Sequence, residues 1–266
     1  MSKIISFIII VAIVILIIAF IVMRYWNINR IVEYFESNNV IVYGKKGKGK
    51  DVLFAAVIKK RNKPHFSNIK YNDKTDVKSI SYLNVSPNTY ENFIDGKVTV
   101  IPKNIEEKKD YYLSDGGIYL PSQYDNILSK KYPSLPIFYA LSRHLGDMNI
   151  HVNVQNLNRL WIKLREQADT YIRIGFKIKL PGYILLSTRT YENYDDAFKN
   201  LKPVKKLLKG EVVRTEESSR GEIKNRLLLI PKRWLEYDSR YFHRVVYGVP
   251  APKKPKLFRK KATGEI

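Results

Sequence analysis

The chain contains no cysteine, which excludes a disulfide framework and any zinc site built on thiolates. Its four histidines, His65, His144, His151 and His243, are scattered without metal-ligand spacing. Acidic residues are scarce beside basic ones: 25 Asp and Glu stand against 47 Lys and Arg, a formal net charge of +22. An excess of that size suits a polyanionic partner such as nucleic acid or an anionic membrane surface, although a basic surface tolerated without any partner has the same composition. With 266 residues there is material for one sizeable domain and short extensions, or at most two small domains.

Long apolar runs are absent except at the start. Ile4 to Met23 holds Ser6 as its only polar residue, and about 20 residues at 1.5 Å each span about 30 Å of hydrocarbon, which predicts a transmembrane helix. A cleaved signal peptide is the competing reading. It is disfavoured because the apolar stretch exceeds the usual signal core and Met23-Arg24-Tyr25-Trp26 offers no small-residue cleavage site. Only Lys3 precedes the run, whereas Arg24 and Arg30 follow it, so the positive-inside bias predicts a single pass with the C-terminal body in the cytoplasm.

Directly after the apolar run Val40-Ile41-Val42-Tyr43 comes Gly44-Lys45-Lys46-Gly47-Lys48-Gly49-Lys50-Asp51, and directly after that Val52-Leu53-Phe54-Ala55-Ala56-Val57-Ile58. The order strand, glycine-rich loop, helix is the context in which backbone N–H groups cradle phosphates. The helix N-terminus adds its positive dipole end, and Lys50 reaches the β- and γ-phosphates. The predicted nucleotide-binding residues run from Gly44 to Val52, with ATP and Mg²⁺ as cofactors. At the last position of the motif Asp51 replaces the Ser or Thr whose hydroxyl ordinarily contacts Mg²⁺, and a carboxylate is also able to hold the metal.

Further along, Asn62 to Pro87 is polar with room for a strand between loops, and Lys97 to Ile101 alternates as a short strand. Asp110-Tyr111-Tyr112-Leu113-Ser114-Asp115 reads as a central strand delivering Asp115 to the phosphates as a second metal residue, with Asp51 the first. Gly116 then occupies the place where many such ATPases carry a water-polarising glutamate. Pro133 to Leu145 reads as a helix stopped by Gly146. Asn149 to Gln155 alternates as a half-buried strand, placing the Gln155 amide where it is able to touch a γ-phosphate. Leu157, Leu160, Trp161, Leu164 and Ala168 recur at helical spacing, with Arg159 and Arg165 on or beside the exposed side. Those arginines are either solvated charges or fingers reaching a neighbouring subunit's nucleotide. Ala168 to Phe176 and Gly182 to Thr190 read as an antiparallel hairpin at a sheet edge. Beyond it, basic residues are interleaved with Trp234, Tyr237, Tyr241 and Phe242, which suits stacking on bases and equally suits docking on the core. The lysine- and proline-rich end from Pro250 is expected to be disordered.

Taken together, several features resemble the zonular occludens toxin-like ATPases, the gene I-type assembly proteins of filamentous phages. They are the apolar anchor, the Gly44 to Lys50 loop, Ser114-Asp115-Gly116 at a strand end, and Ser142-Arg143-His144-Leu145-Gly146-Asp147 leading into a strand ending Val154-Gln155. The late Tyr237-Asp238-Ser239-Arg240 completes the set. The resemblance spans about Val40 to Tyr247. It departs from well-known members in placing the membrane helix before the ATPase domain. It implies an ATPase in the host's cytoplasmic (inner) membrane that drives extrusion of single-stranded DNA with phage coat proteins, and a homo-oligomeric ring in which Arg143 or Arg165 completes a neighbour's site. It also implies nucleotide contacts by Gly44, Gly47, Gly49 and Lys50, metal coordination by Asp115, and γ-phosphate sensing by Gln155.

The expected architecture is therefore an α/β P-loop NTPase with a mostly parallel central sheet, preceded by one N-terminal transmembrane helix. Its divisions are an anchor (1–23), a connector (24–38), an ATPase domain (39–200), a basic aromatic-containing extension (201–249) and a disordered basic tail (250–266). The alternative function is a membrane-tethered nucleic-acid-binding scaffold whose nucleotide site is degenerate and does not turn over.

Overall fold

Four consecutive apolar residues, Val40–Tyr43, form a strand, β1, that is buried on both faces, and the sheet grows outward from it. A computed structural model describes residues 2–78, 109–116, 148–200 and 222–237. After α1 (Ser2–Ser37) and β1 come α2 (Lys50–Arg61), β2 (His65–Ser67), β3 (Thr75–Val77), β4 (Tyr111–Leu113) and β5 (Ile150–Val154). Then follow α3 (Ile162–Arg165), β6 (Thr170–Leu180), β7 (Tyr183–Tyr191), α4 (Tyr194–Lys199) and β8 (Ile223–Pro231). The sheet order is β3-β2-β4-β5-β1-β6-β7-β8. Pairing is parallel from β3 through β6 and antiparallel for β6–β7 and β7–β8, so this is a mostly parallel α/β sheet. The chain leaves β1 by α2 toward β2 on one side and later returns to β6 on the other. Such a switch point opens a crevice at the carboxyl ends of the strands.

Alternation along β1 divides the core. Ile41 and Tyr43 join Tyr111, Leu113, Val152, Val154, Leu157 and Leu164 on one face. Val40 and Val42 join Leu53, Phe54, Val57, Ile172 and Leu186 on the other. With both faces covered, the inner parallel strands β1, β2, β4 and β5 are buried along their whole length. β5 is accordingly buried at all five positions, where its alternating sequence suggested a half-buried strand.

The first helix departs from the expected division into anchor and connector. α1 is one uninterrupted helix of 36 residues and contains neither Gly nor Pro. Among the described residues it is the one helix long and apolar enough to cross a membrane, and apolar side chains such as Phe7, Ile10, Leu16 and Val22 are exposed along its first half. Its second half belongs to the core. Ile28, Ile31, Val32 and Phe35, at i, i+3, i+4 and i+7, are all buried, and Phe35 packs against the rings of Phe54, Tyr112 and His151. Asn27 also donates from Nδ2 to the Leu227 carbonyl at 2.9 Å, fastening α1 to β8. Because Ile31 is fully enclosed, Ile31→Val is expected to cost about 1 kcal/mol in chemical denaturation of the full-length chain. A solvent-facing linker would register no change.

Three further expectations change. The helix predicted over residues 157–168 is a 3₁₀ turn at Leu157–Arg159 followed by the single turn of α3. Leu160 and Trp161 between them are extended (ψ 144° and 137°), which breaks the helical run despite its apolar spacing. β6 is longer than expected, so the hairpin strands meet at a two-residue turn, Pro181-Gly182, but they do not form the sheet edge. β8, drawn from the supposed basic extension, pairs along the whole of β7 and occupies that edge. The predicted strand at Lys97 to Ile101, the helix at Pro133 to Leu145 with Arg143, and the basic tail lie outside the described residues.

At the amino ends of the parallel strands a buried polar network joins α2 to β4 and β5. The Arg61 guanidinium pairs with Asp110 and donates to the Tyr112 hydroxyl at 2.8 Å, while the Asn149 N–H donates to Asp110 at 2.8 Å.

Candidate phosphate-binding site

Between the end of β1 at Tyr43 and the start of α2 at Lys50, the chain turns through Gly44, Gly47 and Gly49 with φ of 148°, 77° and 102°. These are conformations that side chains with a Cβ rarely adopt. At Gly49 space adds a second constraint, since a Cβ would lie 2.9 Å from Leu186 Cδ2 and 3.1 Å from Lys177 Cδ. Gly49 is also the N-cap of α2, its carbonyl accepting from the Leu53 N–H at 3.1 Å. The Gly44 N–H donates to the Val154 carbonyl at 3.2 Å, which ties the start of the loop to the end of β5.

Lys50 is 6 % exposed and donates from Nζ to the Gly44 carbonyl at 3.1 Å, so its side chain folds back across the loop it terminates. Burial lowers its pKa, with Asp51 and Asp115 acting in the opposite direction. The N–H groups in the first turn of α2 have no intrahelical acceptor, and the dipole of that end favours an anion. Loop, dipole and ammonium together form a cradle for phosphate.

Asp51 and Asp115 come to the same end of the sheet by different means. Asp51 Oδ1 accepts from Ser114 Oγ at 2.6 Å, from Asn153 Nδ2 at 2.6 Å and from the Tyr71 hydroxyl at 3.2 Å. Asn153 Oδ1 accepts the Asp115 N–H at 2.7 Å, so one buried amide on β5 positions both acidic segments. Asn68 holds Ser114 from the other side, accepting its N–H and donating to its carbonyl, each at 2.8 Å. Asp115 itself is half-buried with φ 50°. Burial, then the charge of Asp51, raises its pKa, while Lys50 and Lys46 lower it. Gly116, which the sequence placed where a water-polarising glutamate stands, has no space for any side chain: a Cβ there would sit 2.3 Å from Val152 Cγ1.

The remaining predicted residues divide. Lys45 and Lys46 are exposed on the loop, Lys48 is half-buried, and Val52 is buried in the first turn of α2. Gln155 is half-buried immediately after Val154, the residue whose carbonyl anchors Gly44, so it stands at the same end of the sheet. Arg165 is not on an exposed side. It is 6 % exposed, lies over the rings of Tyr194 and Phe198, and donates to Asn158 Oδ1 at 3.3 Å, which removes it from the surface where a finger to another subunit would have to stand. Arg143 lies outside the described residues.

Sequence reasoning missed Ser114, Asn153, Tyr71 and Lys177. Asn153 carried a signal, being a polar residue inside the apolar strand Ile150–Val154. Lys177 carried none, because its approach to Gly49 depends on β6 pairing with β1.

A divalent cation fits this donor set. Among the described residues no group of three His, Cys, Asp or Glu side chains is able to hold a metal ion, whereas Asp51 and Ser114 beside a phosphate cradle match the way Mg²⁺ is held by one or two carboxylates with substrate phosphates.

The sequence matches no protein-family model and no curated protein. Similar solved structures include the N-terminal domain of zonular occludens toxin from Neisseria meningitidis, at 14% identity over 77% of this chain and 97% of that one, with TM-score 0.40. They also include the genome packaging NTPase B204 of Sulfolobus turreted icosahedral virus 2 in complex with AMP, at 13% identity over 57% of this chain and 92% of that one, with TM-score 0.36. A third is EssC (ATPases 2 and 3) from Geobacillus thermodenitrificans, at 13% identity over 82% of this chain and 46% of that one, with TM-score 0.37.

Proposed function

We propose that this protein is a membrane-anchored ATPase that couples hydrolysis to movement of single-stranded DNA and coat protein during assembly and extrusion of a filamentous phage. The observation that carries the proposal is the loop between β1 and α2, with three positive-φ glycines, a helix N-terminus and the buried Lys50 folded across it. The net charge of +22 suits a nucleic-acid track, and the exposed apolar half of α1 suits a bilayer. The body would lie on the cytoplasmic side of the host membrane, where ATP is, and would assemble as a ring. Gly44 to Val52 would bind ATP, Asp51 and Asp115 would face Mg²⁺, and Gln155 would sense the γ-phosphate. A neighbour's arginine, with Arg143 remaining the candidate, would complete each site.

The test is phosphate release by the full-length chain in detergent micelles, with and without single-stranded DNA. Turnover that rises at least several-fold with DNA is expected, together with DNA affinity that falls steeply with salt as neutralised phosphates release counterions. Salt-sensitive DNA binding with no turnover would replace the motor with the tethered scaffold. No nucleotide affinity would remove the ATPase assignment altogether.

A further inference from the structure

The loop and the strand beside it carry their hydroxyl and carboxylate in the reverse of the usual places. In P-loop NTPases Mg²⁺ is held by the Ser or Thr that follows the loop lysine and by an aspartate delivered from a neighbouring strand. Here the residue after Lys50 is Asp51, and the residue immediately past the end of β4 is Ser114. Their side chains meet in a 2.6 Å hydrogen bond from Ser114 Oγ to Asp51 Oδ1. One hydroxyl and one carboxylate still bridge the two elements, with the halves exchanged.

Granted the nucleotide site proposed above, we propose that Asp51 and Ser114 form the exchanged cation-holding pair of this protein, and that Asp115, instead of the metal contact first given to it, is the carboxylate that polarises the attacking water. Three donors converge on Asp51 Oδ1: Ser114, Asn153 and Tyr71. Among the described residues Oδ2 accepts none, so one oxygen orients the carboxylate and the other remains for a cation. With Ser114 in the metal position, the next residue is Asp115, not Gly116. The 2.3 Å approach of a Gly116 Cβ to Val152 excludes an acid one place further along. Asp115 is aimed by its backbone, through the 2.7 Å bond from its N–H to Asn153 Oδ1, and among the described residues its carboxylate accepts no hydrogen bond.

A divalent cation held by Asp51 and Ser114 would supply neutralisation of phosphate charge. In the hydrolytic step the water oxygen bonds to the γ-phosphorus. The bond from that phosphorus to the β–γ bridging oxygen breaks with its electron pair left on ADP, and the proton released by the water passes to the Asp115 carboxylate. Lys50, folded across the loop toward the Gly44 carbonyl, would stabilise the oxygens on which charge gathers.

The experiment measures affinity of the full-length chain in detergent for a fluorescent ATP analogue with and without MgCl₂. It compares wild type with Asp51→Ser, Ser114→Asp and the double variant carrying both. Each single change is expected to erase an Mg²⁺-dependent gain in affinity of about 10-fold or more, and the double variant to recover most of it. Ser114→Ala, which adds no charge, is expected to weaken Mn²⁺ in the nucleotide complex by about 10-fold, read from the electron paramagnetic resonance of free Mn²⁺. Asp115→Asn is expected to keep the Mg²⁺-dependent affinity while turnover falls about 10²–10⁴-fold. Nucleotide binding that is indifferent to Mg²⁺ in wild type overturns the exchange and leaves the nucleotide site standing. A double variant no better than its singles, or Mn²⁺ affinity unchanged in Ser114→Ala, overturns the exchange in the same way. Loss of Mg²⁺-dependent affinity in Asp115→Asn returns that residue to the metal. Absence of any nucleotide binding in wild type overturns both proposals.

Discussion

Lys50→Ala is expected to lower ATP turnover by about 10²–10³-fold at saturating ATP, the cost of removing one preorganised charge from a water-poor phosphate site. The geometry explains why so large an effect is expected from one side chain. Lys50 is 94 % buried, its ammonium is held at 3.1 Å from the Gly44 carbonyl, and it therefore stands within the loop before any nucleotide arrives. Burial depresses its pKa, and a triphosphate bound at the proposed site would act to restore it, so ligand and lysine would stabilise each other. The same facts separate catalysis from folding. A buried ammonium that gains one carbonyl bond carries a desolvation cost, and truncation relieves that cost, so the variant is not expected to melt much below wild type. Phosphate release and thermal unfolding measured on the same preparation distinguish the two effects. Equal turnover in variant and wild type would overturn the role given to Lys50.

The second large effect is on stability, at the opposite end of the sheet. Arg61→Met is expected to cost about 3–5 kcal/mol in denaturant unfolding, because it leaves Asp110 enclosed without its counter-ion. The two side chains are only 8 % and 11 % exposed. Removing both charges, as in Arg61→Met with Asp110→Leu, is expected to cost much less than the single change. The pair also sets an acid limit. Burial acts to raise the pKa of Asp110, but His151, the Arg61 guanidinium and the Asn149 N–H outweigh it and bring the carboxyl from an ordinary 3.8 to about 2. A carboxylate depressed in the folded state stabilises fully above its unfolded pKa, and that stability is lost as pH falls from about 4 through about 2. The contribution is worth about 2 kcal/mol. Denaturation midpoints of wild type are expected to decline over that window, and the decline is expected to flatten in Arg61→Met. A wild-type midpoint indifferent to pH in that window would remove the pair as its cause.

What the sequence made legible was local. The strand Val40–Tyr43, the loop and α2 follow one another without interruption, so their composition and order were enough to place a strand, a glycine-rich turn and a helix, and the hairpin β6–β7 followed from the runs Ala168 to Phe176 and Gly182 to Thr190, although its turn proved to be Pro181-Gly182. What it hid depends on partners distant in the chain. Ser114 and Asn153 meet Asp51 from 63 and 102 residues away, and nothing adjacent to either marks that meeting. Arg165 sits at helical spacing beside apolar residues, which suggested an exposed position, yet the break at Leu160 and Trp161 turns it under Tyr194 and Phe198. After Ile223, β8 continues with Lys224, Asn225 and Arg226, so its polar stretch hid a strand whose Leu228 and Ile230 are wholly enclosed.

The unbroken course of α1 has a mechanical consequence. Helices bend sharply where Pro, Gly or an inserted group interrupts their hydrogen bonds, and none of the first two occurs between Ser2 and Ser37. The lipid-length stretch and the stretch wedged against α2 thus form a single stiff lever without a swivel. On the proposed membrane anchorage, a tilt of α2 during nucleotide turnover would lean on Phe35 and reach the bilayer as torque, instead of being absorbed by a slack tether.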